Sequence, residues 1–241
     1  MEMPMQHQIM GYDRTSAIFS PDGHLLQVEY AEKTVRLGSS SIGMVTSDGI
    51  VIIADKRIKD DLMVIESAAK IYEIDSHIAG TAAGILSDAR ILIEKSQLLA
   101  QQHRVLYDAA IDTESIVREM ANVKQAYTQY GGARPFGVSM MIAGVDLNEK
   151  RNLFITDVTG NYFGFLATAI GENDEKLKDL LRKEYKESMN TEQSIKLALS
   201  IFRRILGKNF DIARFEAAYI KTKEKTFTRM PGEELKKFLK T

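Results

Sequence analysis

The run Ile50-Val51-Ile52-Ile53-Ala54 is apolar at every position. A strand points alternate side chains to opposite faces, so a run without alternation has to be covered on both. It follows Ser47-Asp48-Gly49, a hairpin turn in which glycine supplies a positive φ, and a first strand at Ser41–Thr46. A second hairpin is predicted over Lys70–Ile74, the turn Asp75-Ser76 and His77–Ala83. Two helices then follow in succession, Leu86–Leu106 and Thr113–Tyr130, with Asp112 or Thr113 placed to cap the second. β-type sequence returns over Phe136–Asp146, Leu153–Asp157 and Tyr162–Thr168. A further helix pair, Asp174–Lys186 and Thr191–Leu206 with Asn190 as its cap, precedes a last strand at Phe215–Lys221 and a short helix at Gly232–Leu239.

Strands therefore come in meandering groups, and helices come in pairs between those groups. Strict βαβ alternation is absent, which disfavours a doubly wound parallel sheet. The expected fold is α+β: a four-layer αββα sandwich of two antiparallel sheets with helix pairs on both outer faces. Hydrophobic residues make up 44% of 241, and neither a linker nor a repeat of solenoid period divides the chain. One domain over 12–241 is expected. Met1–Gly11, rich in Met and Gln and without period, reads as a mobile tail. A helix over 24–37 follows the turn Pro21-Asp22-Gly23 and stops at Gly38. Its apolar residues Leu25, Leu26, Val28, Ala31, Val35 and Leu37 occupy more than one stripe, so it is expected to bury surface on two sides.

Charge and cysteine content narrow the chemistry. Lys+Arg of 32 against Asp+Glu of 33 leaves a net charge of -1, without the basic surplus that nucleic acid or an anionic membrane attracts. No run is long enough to span a bilayer and Met1–Gly11 has no signal-peptide core, so a cytoplasmic protein is expected. The absence of cysteine excludes disulfides, thiolate catalysis and cysteine-ligated metal centres. His7, His24, His77 and His103 stand apart, without the spacing that ligates a metal, and no cofactor fingerprint is present. Neither metal nor cofactor is expected.

Three strings stand out. The first is Tyr12-Asp13-Arg14 followed by Phe19-Ser20-Pro21-Asp22-Gly23-His24-Leu25-Leu26-Gln27-Val28-Glu29-Tyr30-Ala31. Physically it is a turn leading into a helix. The second is Gly38-Ser39-Ser40-Ser41-Ile42-Gly43, with Asp55 and Lys70 downstream. The third is Tyr127-Thr128-Gln129-Tyr130-Gly131-Gly132-Ala133-Arg134-Pro135-Phe136-Gly137-Val138-Ser139, a helix end with a tight return. The first string resembles the N-terminal signature of α-type subunits of the proteasome core particle, and the third resembles the loop after that family's second helix. The resemblance covers nearly the whole chain, thinning after about residue 205, and is of the archaeal type.

The resemblance implies the fold of the N-terminal-nucleophile hydrolases and a non-catalytic role. Such a subunit builds a heptameric outer ring with itself, most simply a homoheptamer. It stacks on the proteolytic β subunits, gates entry of unfolded protein substrates and docks an activating AAA ATPase. It implies that Lys70, Gly84, Gly38 and Lys33 receive the activator's C-terminus. A gate built on Met1–Gly11 is implied to involve Tyr12, Asp13, Arg14, Pro21 and Tyr30, and a pore loop to involve Tyr130, Gly131, Gly132 and Arg134. Many archaeal relatives carry a basic residue where this chain has Glu32, which bears on how a carboxylate would be received. An alternative is an active N-terminal-nucleophile peptidase, self-processed so that Ser39 is the nucleophile with Asp55 and Lys70 beside it. Ser39 is preceded by the predicted helix, and that mechanism needs a free α-amine.

Overall fold

The apolar run at Ile50–Ala54 lies in the middle strand of a five-stranded sheet in the computed structural model, which describes residues 11–57 and 62–239. The strands are β1 (Ser41–Thr46), β2 (Gly49–Asp55), β3 (Ile71–Asp75), β4 (Ile78–Gly84) and β5 (Val138–Val145). They continue as β6 (Arg151–Thr156), β7 (Tyr162–Gly164), β8 (Ala167–Ile170), β9 (Phe215–Lys221) and β10 (Phe227–Pro231). The helices are α1 (Leu26–Leu37), α2 (Leu86–Tyr107), α3 (Thr113–Gln129), α4 (Asp174–Glu184), α5 (Thr191–Leu206) and α6 (Gly232–Leu235). One sheet has the order β10-β9-β2-β1-β8 and the other β3-β4-β5-β6-β7, and every pairing in both is antiparallel.

Burial follows the pleat. From β2, Ile50, Ile52 and Ala54 face the other sheet and meet Ile71, Ala79, Met141 and Leu153. Val51 and Ile53 face outward and pack with Leu177, Leu181, Ile195, Leu199 and Phe202 of α4 and α5. On the far side, Leu92, Ile93, Ile116 and Met120 of α2 and α3 cover Ile78, Met140 and Ile142. Three apolar layers between four structural layers make this an αββα sandwich. Each fully buried Ile or Leu contributes up to about 1.5–3 kcal/mol.

Several expectations shift. The first helix begins at Leu26 rather than 24, because Ser20–His24 closes a turn: the Ser20 amide donates to His24 O (2.8 Å) and the His24 amide to Ser20 Oγ (3.1 Å). Its buried Val28 and Ala31 pack with Val158 on one side. Leu26, also buried, lies on the opposite side, where Leu37 is left 75% exposed. The segment expected as one strand at Tyr162–Thr168 is two, in different sheets. Phe165 N donates to Leu153 O of the second sheet (2.8 Å), while the next residue's carbonyl accepts from Val45 N of the first (2.8 Å). The chain steps between sheets there. β10 was not expected: its polar centre Thr228-Arg229 and terminal Pro231 weaken the strand signal, and pairing to β9 at the sheet edge makes it a strand.

Helix ends follow local chemistry. Asp112 Oδ1 accepts from Ser115 N (2.9 Å), and Asn190 with Gln193 forms a capping box. α4 stops at Glu184, and the following Tyr185 sends its hydroxyl to Val45 O (2.9 Å). Lys124 of α3 points inward, fully buried, and donates to Val138 O (3.1 Å), Thr156 O (3.2 Å), Asp157 O (3.2 Å) and Thr156 Oγ1. Burial pushes its amine down to about 7.

The sheets approach closely where β1 has Gly43. A Cβ there would lie 2.5 Å from Met141 Sδ and 2.8 Å from Leu153 Cδ1. Gly43→Ala is expected to destabilise the fold by about 1–3 kcal/mol through overpacking, read as a lower denaturant midpoint. An unchanged midpoint would mean that the interface between the sheets has slack.

Candidate functional site

The end of α1 runs into β1 through Gly38, Ser39 and Ser40, at the mouth of the sandwich. Gly38 sits against the turn out of β4: a Cβ on it would lie 2.3 Å from Gly84 N. Gly84, at φ +124°, touches Gly137 in turn, since a Cβ there would lie 2.1 Å from Gly137 O. No side chain larger than hydrogen fits at either position. Glu172 N donates to Gly38 O (2.8 Å), and Ser40 Oγ donates to Glu172 O.

Lys70, just ahead of β3, reaches back beneath this junction. Its Nζ donates to Ser39 O, to Ser39 Oγ (2.8 Å) and to Ser40 O (3.4 Å). The side chain is buried, and burial lowers its amine to about 7; Asp55 and Glu216 oppose the shift and Arg57 adds to it. Asp55 is buried too, but its carboxylate is taken by Arg214 (2.6 and 3.2 Å) and by the Arg57 amide (2.9 Å). Glu216 Oε1 accepts from the amides of Lys70 and Ile71, and Oε2 lies 3.4 Å from Arg229.

Ser39, Asp55 and Lys70 thus converge, and the hydroxyl of Ser39 is within proton-transfer reach of an amine. The nitrogen of Ser39 is nevertheless the amide of the Gly38–Ser39 bond. While that bond stands, the amine base of an N-terminal nucleophile does not exist.

The other candidates fall in three places. Gly38, Gly84 and Lys70 share the junction just described, whereas Lys33 is exposed, with its Nζ 5.4 Å from the ring centroid of Tyr30. Glu32 opens onto a cleft of about 280 Å³ that it lines with Arg36, Asp157 and Phe165. Burial, then the charges of Asp157 and Glu29, hold its carboxyl above the usual range, against Arg36. Tyr12, Asp13 and Arg14 form a turn in which Arg14 N donates to Gly11 O (3.1 Å), and Gln27 Nε2 of α1 donates to Asp13 O. Pro21 is exposed in the turn before α1, and Tyr30 is half-buried on that helix. Met1–Met10, most of the predicted tail, lie outside the described residues.

In the third string, Tyr130, Gly131 and Gly132 are exposed at the end of α3, with Gly132 at φ +85°. Arg134 forms a bidentate pair with Asp88 (2.6 and 2.7 Å), whose Oδ2 also accepts from Gly137 N (2.9 Å). Burial would raise the Asp88 carboxyl, but Arg134 and the Gly137 amide hold it below the usual range. Sequence reasoning missed Asp88, Arg57, Arg214 and Glu216. Glu216 offered a signal, a carboxylate inside the apolar run of β9. The two arginines offered none, because surface arginines are commonplace.

Residues 35–220 match the profile of the proteasome subunit family, and residues 12–33 match the N-terminal signature of that family's A-type subunits. The chain belongs to the proteasome subunit family. Among its relatives in that family, the proteasome alpha subunit of Methanocaldococcus jannaschii is 41% identical over 228 residues, covering 95% of this chain and 87% of that one. That of Aeropyrum pernix is 40% identical over 248 residues, covering 99% and 96%. That of Methanosarcina thermophila is 40% identical over 226 residues, covering 94% and 91%. The family signature lies on the turn and helix that close the sandwich mouth, and the relatives are of the alpha kind. Among the described residues no helix is long and apolar enough to cross a membrane.

The lowered pKa of Lys70 has a stability consequence. Its unfolded value is about 10.4, so between about pH 7 and pH 10 the unfolded chain holds more protons, and the fold gains stability with rising pH. Lys70→Met abolishes this contribution. The stability of the variant relative to the parent is expected to decline from pH 6 towards about pH 10. A difference independent of pH, in denaturant unfolding, would refute the buried titration.

Proposed function

We propose that this chain is a non-catalytic α subunit of a proteasome core particle. It forms heptameric outer rings on the proteolytic β subunits, gates entry of unfolded proteins and docks an activating ATPase during intracellular protein degradation. The observation that carries this reading is the A-type N-terminal signature over residues 12–33, borne on the segment and helix α1 that lead through Gly38 and Ser39 into β1.

Three further features support it. Gly38 and Gly84 bring two backbone stretches together beside the amine of Lys70, a setting suited to one terminal carboxylate. With Lys33 on the exposed face of α1, these groups would receive the activator's hydrophobic-Tyr-any tail. Tyr12, Asp13, Arg14 and Pro21 lie on the segment leading from the N-terminal residues to α1, and Tyr30 on α1 itself, where a gate would hinge. Tyr130, Gly131 and Gly132 project at the end of α3, and Arg134 braces their return, as a pore constriction requires.

Native mass spectrometry tests assembly and processing together. Intact chains of 27.1 kDa in a ring of about 190 kDa, or in a stacked pair of rings, are expected. Subunits beginning at Ser39 would make Ser39, Asp55 and Lys70 an active site and overturn the reading. In particles assembled with β subunits, Lys70→Ala is expected to bring the ratio of ATPase-stimulated to unstimulated hydrolysis down towards one. Full stimulation would remove Lys70 from docking. Deletion of Met1–Gly11 is expected to raise unstimulated hydrolysis of longer peptides, and no rise would count against the tail as gate.

A further inference from the structure

The segment from Gly11 to Ser20 belongs to no helix or strand, yet it is seated on the body of the fold. Gln27 holds it at Asp13 O. Ser16, only 2% exposed, donates its hydroxyl to Ala133 O (3.0 Å), across 117 residues of sequence. The carbonyl it meets belongs to the return loop after α3, next to Arg134. Arg134 is gripped by Asp88 in the first turn of α2, and Asp88 also holds the amide of Gly137. Gly137 O accepts from Thr34 Oγ1 of α1 (2.9 Å) and lies against Gly84, which lies against Gly38. The contacts are continuous: Gly38 and Gly84 at one end, Ser16 at the other, and the 133–137 loop between.

We propose that this loop is the connector between the Gly38–Gly84–Lys70 junction and the N-terminal segment, with Asp88 and Ser16 as its positioning residues. The inference rests on the docking and gating reading above, and adds the physical link between those two places. Packed backbone has almost no slack, so displacement of Gly84 by a docked carboxylate must move Gly137. Asp88 turns that movement into one of Arg134 and Ala133, because both its oxygens are committed to the loop. Ser16 passes it to the segment carrying Tyr12 and Asp13. Without the Ser16 hydroxyl the loop would still be held by Asp88, but the N-terminal segment would no longer follow it. Spatial continuity is no measure of energetic coupling, and a thermodynamic cycle supplies that measure.

Core particles assembled with β subunits would carry Ser16→Ala, deletion of Met1–Gly11, both changes, or neither. A peptide ending in the hydrophobic-Tyr-any sequence serves as activator, and hydrolysis of a long peptide is followed. Ser16→Ala is expected to lower stimulated hydrolysis about two- to tenfold in full-length rings, the equilibrium factor one hydrogen bond carries. It is expected to change nothing in truncated rings, which have no gate to move. Amide exchange over 11–20 should speed up, with that over 138–145 unchanged. Asp88→Asn, which keeps an acceptor for the Gly137 amide, should show the same dependence on the tail. Equal losses in both backgrounds would mean that Ser16 merely supports the fold, and would overturn the proposal. If truncation alone opened the pore and Ser16→Ala left stimulation intact, the connector would fall and the gate would stand. If truncation had no effect, the gating reading would fall and take the connector with it.

Discussion

The contact of Gly38 with Gly84, and of Gly84 with Gly137, is a meeting of backbones where helix, loop and both sheets converge. A helix entering a sheet from its open end normally has to stand off by the width of side chains. Here the absence of Cβ atoms lets α1 descend until the chain passes through Gly38, Ser39 and Ser40 into the first strand of the sandwich. The geometry of the junction depends on that descent. It brings two backbone stretches together beside the amine of Lys70.

Lys70 and Lys124 show how the fold accommodates buried cations. Among the described residues neither forms an ion pair through its ammonium; each donates to carbonyl and hydroxyl oxygens where chain segments cross. Carbonyl dipoles recover part of the lost hydration, but burial still drives both amines down to about 7. The carboxylates near Lys70 are committed elsewhere, Asp55 to Arg214 and Glu216 to the amides opening β3. A charged network arranged in this way positions strands, and leaves the amine of Lys70 as the group whose charge responds to its surroundings.

The sequence made the layers legible because burial on both faces of a strand leaves an apolar run without alternation, as in Ile50–Ala54, whereas Ile91, Leu98 and Val105, apolar positions of α2, proved exposed because the helix turns Leu92, Ile93 and Ala100 to the sheet instead. Capping by Asp112 and Asn190 was equally legible, since both side chains bond within three residues of themselves. The start of α1, the split of β7 from β8 and the existence of β10 were not. The start of α1 turned on the bonds between Ser20 and His24, the split on which of two sheets an amide finds, and β10 on pairing to the edge strand β9, and residue propensity carries none of these. The same holds at the site. Family strings pointed to Gly38, Gly84, Lys70 and Arg134, but the grip of Asp88 on Arg134 and the seat of Ser16 on Ala133 span 46 and 117 residues.

What the sequence by itself determined was the class of fold, the family and the absence of cysteine chemistry. Apolar periodicity, turn residues and long contiguous strings are all properties of neighbours along the chain. Only the tertiary structure decided that Lys70 is buried against Ser39 rather than exposed at a strand end, and that Asp55 belongs to Arg214. It alone decided that the N-terminal segment rests on the loop after α3. These are questions of which distant groups share a desolvated space, where the cost of an unpaired charge or amide fixes each partner once the chain has packed.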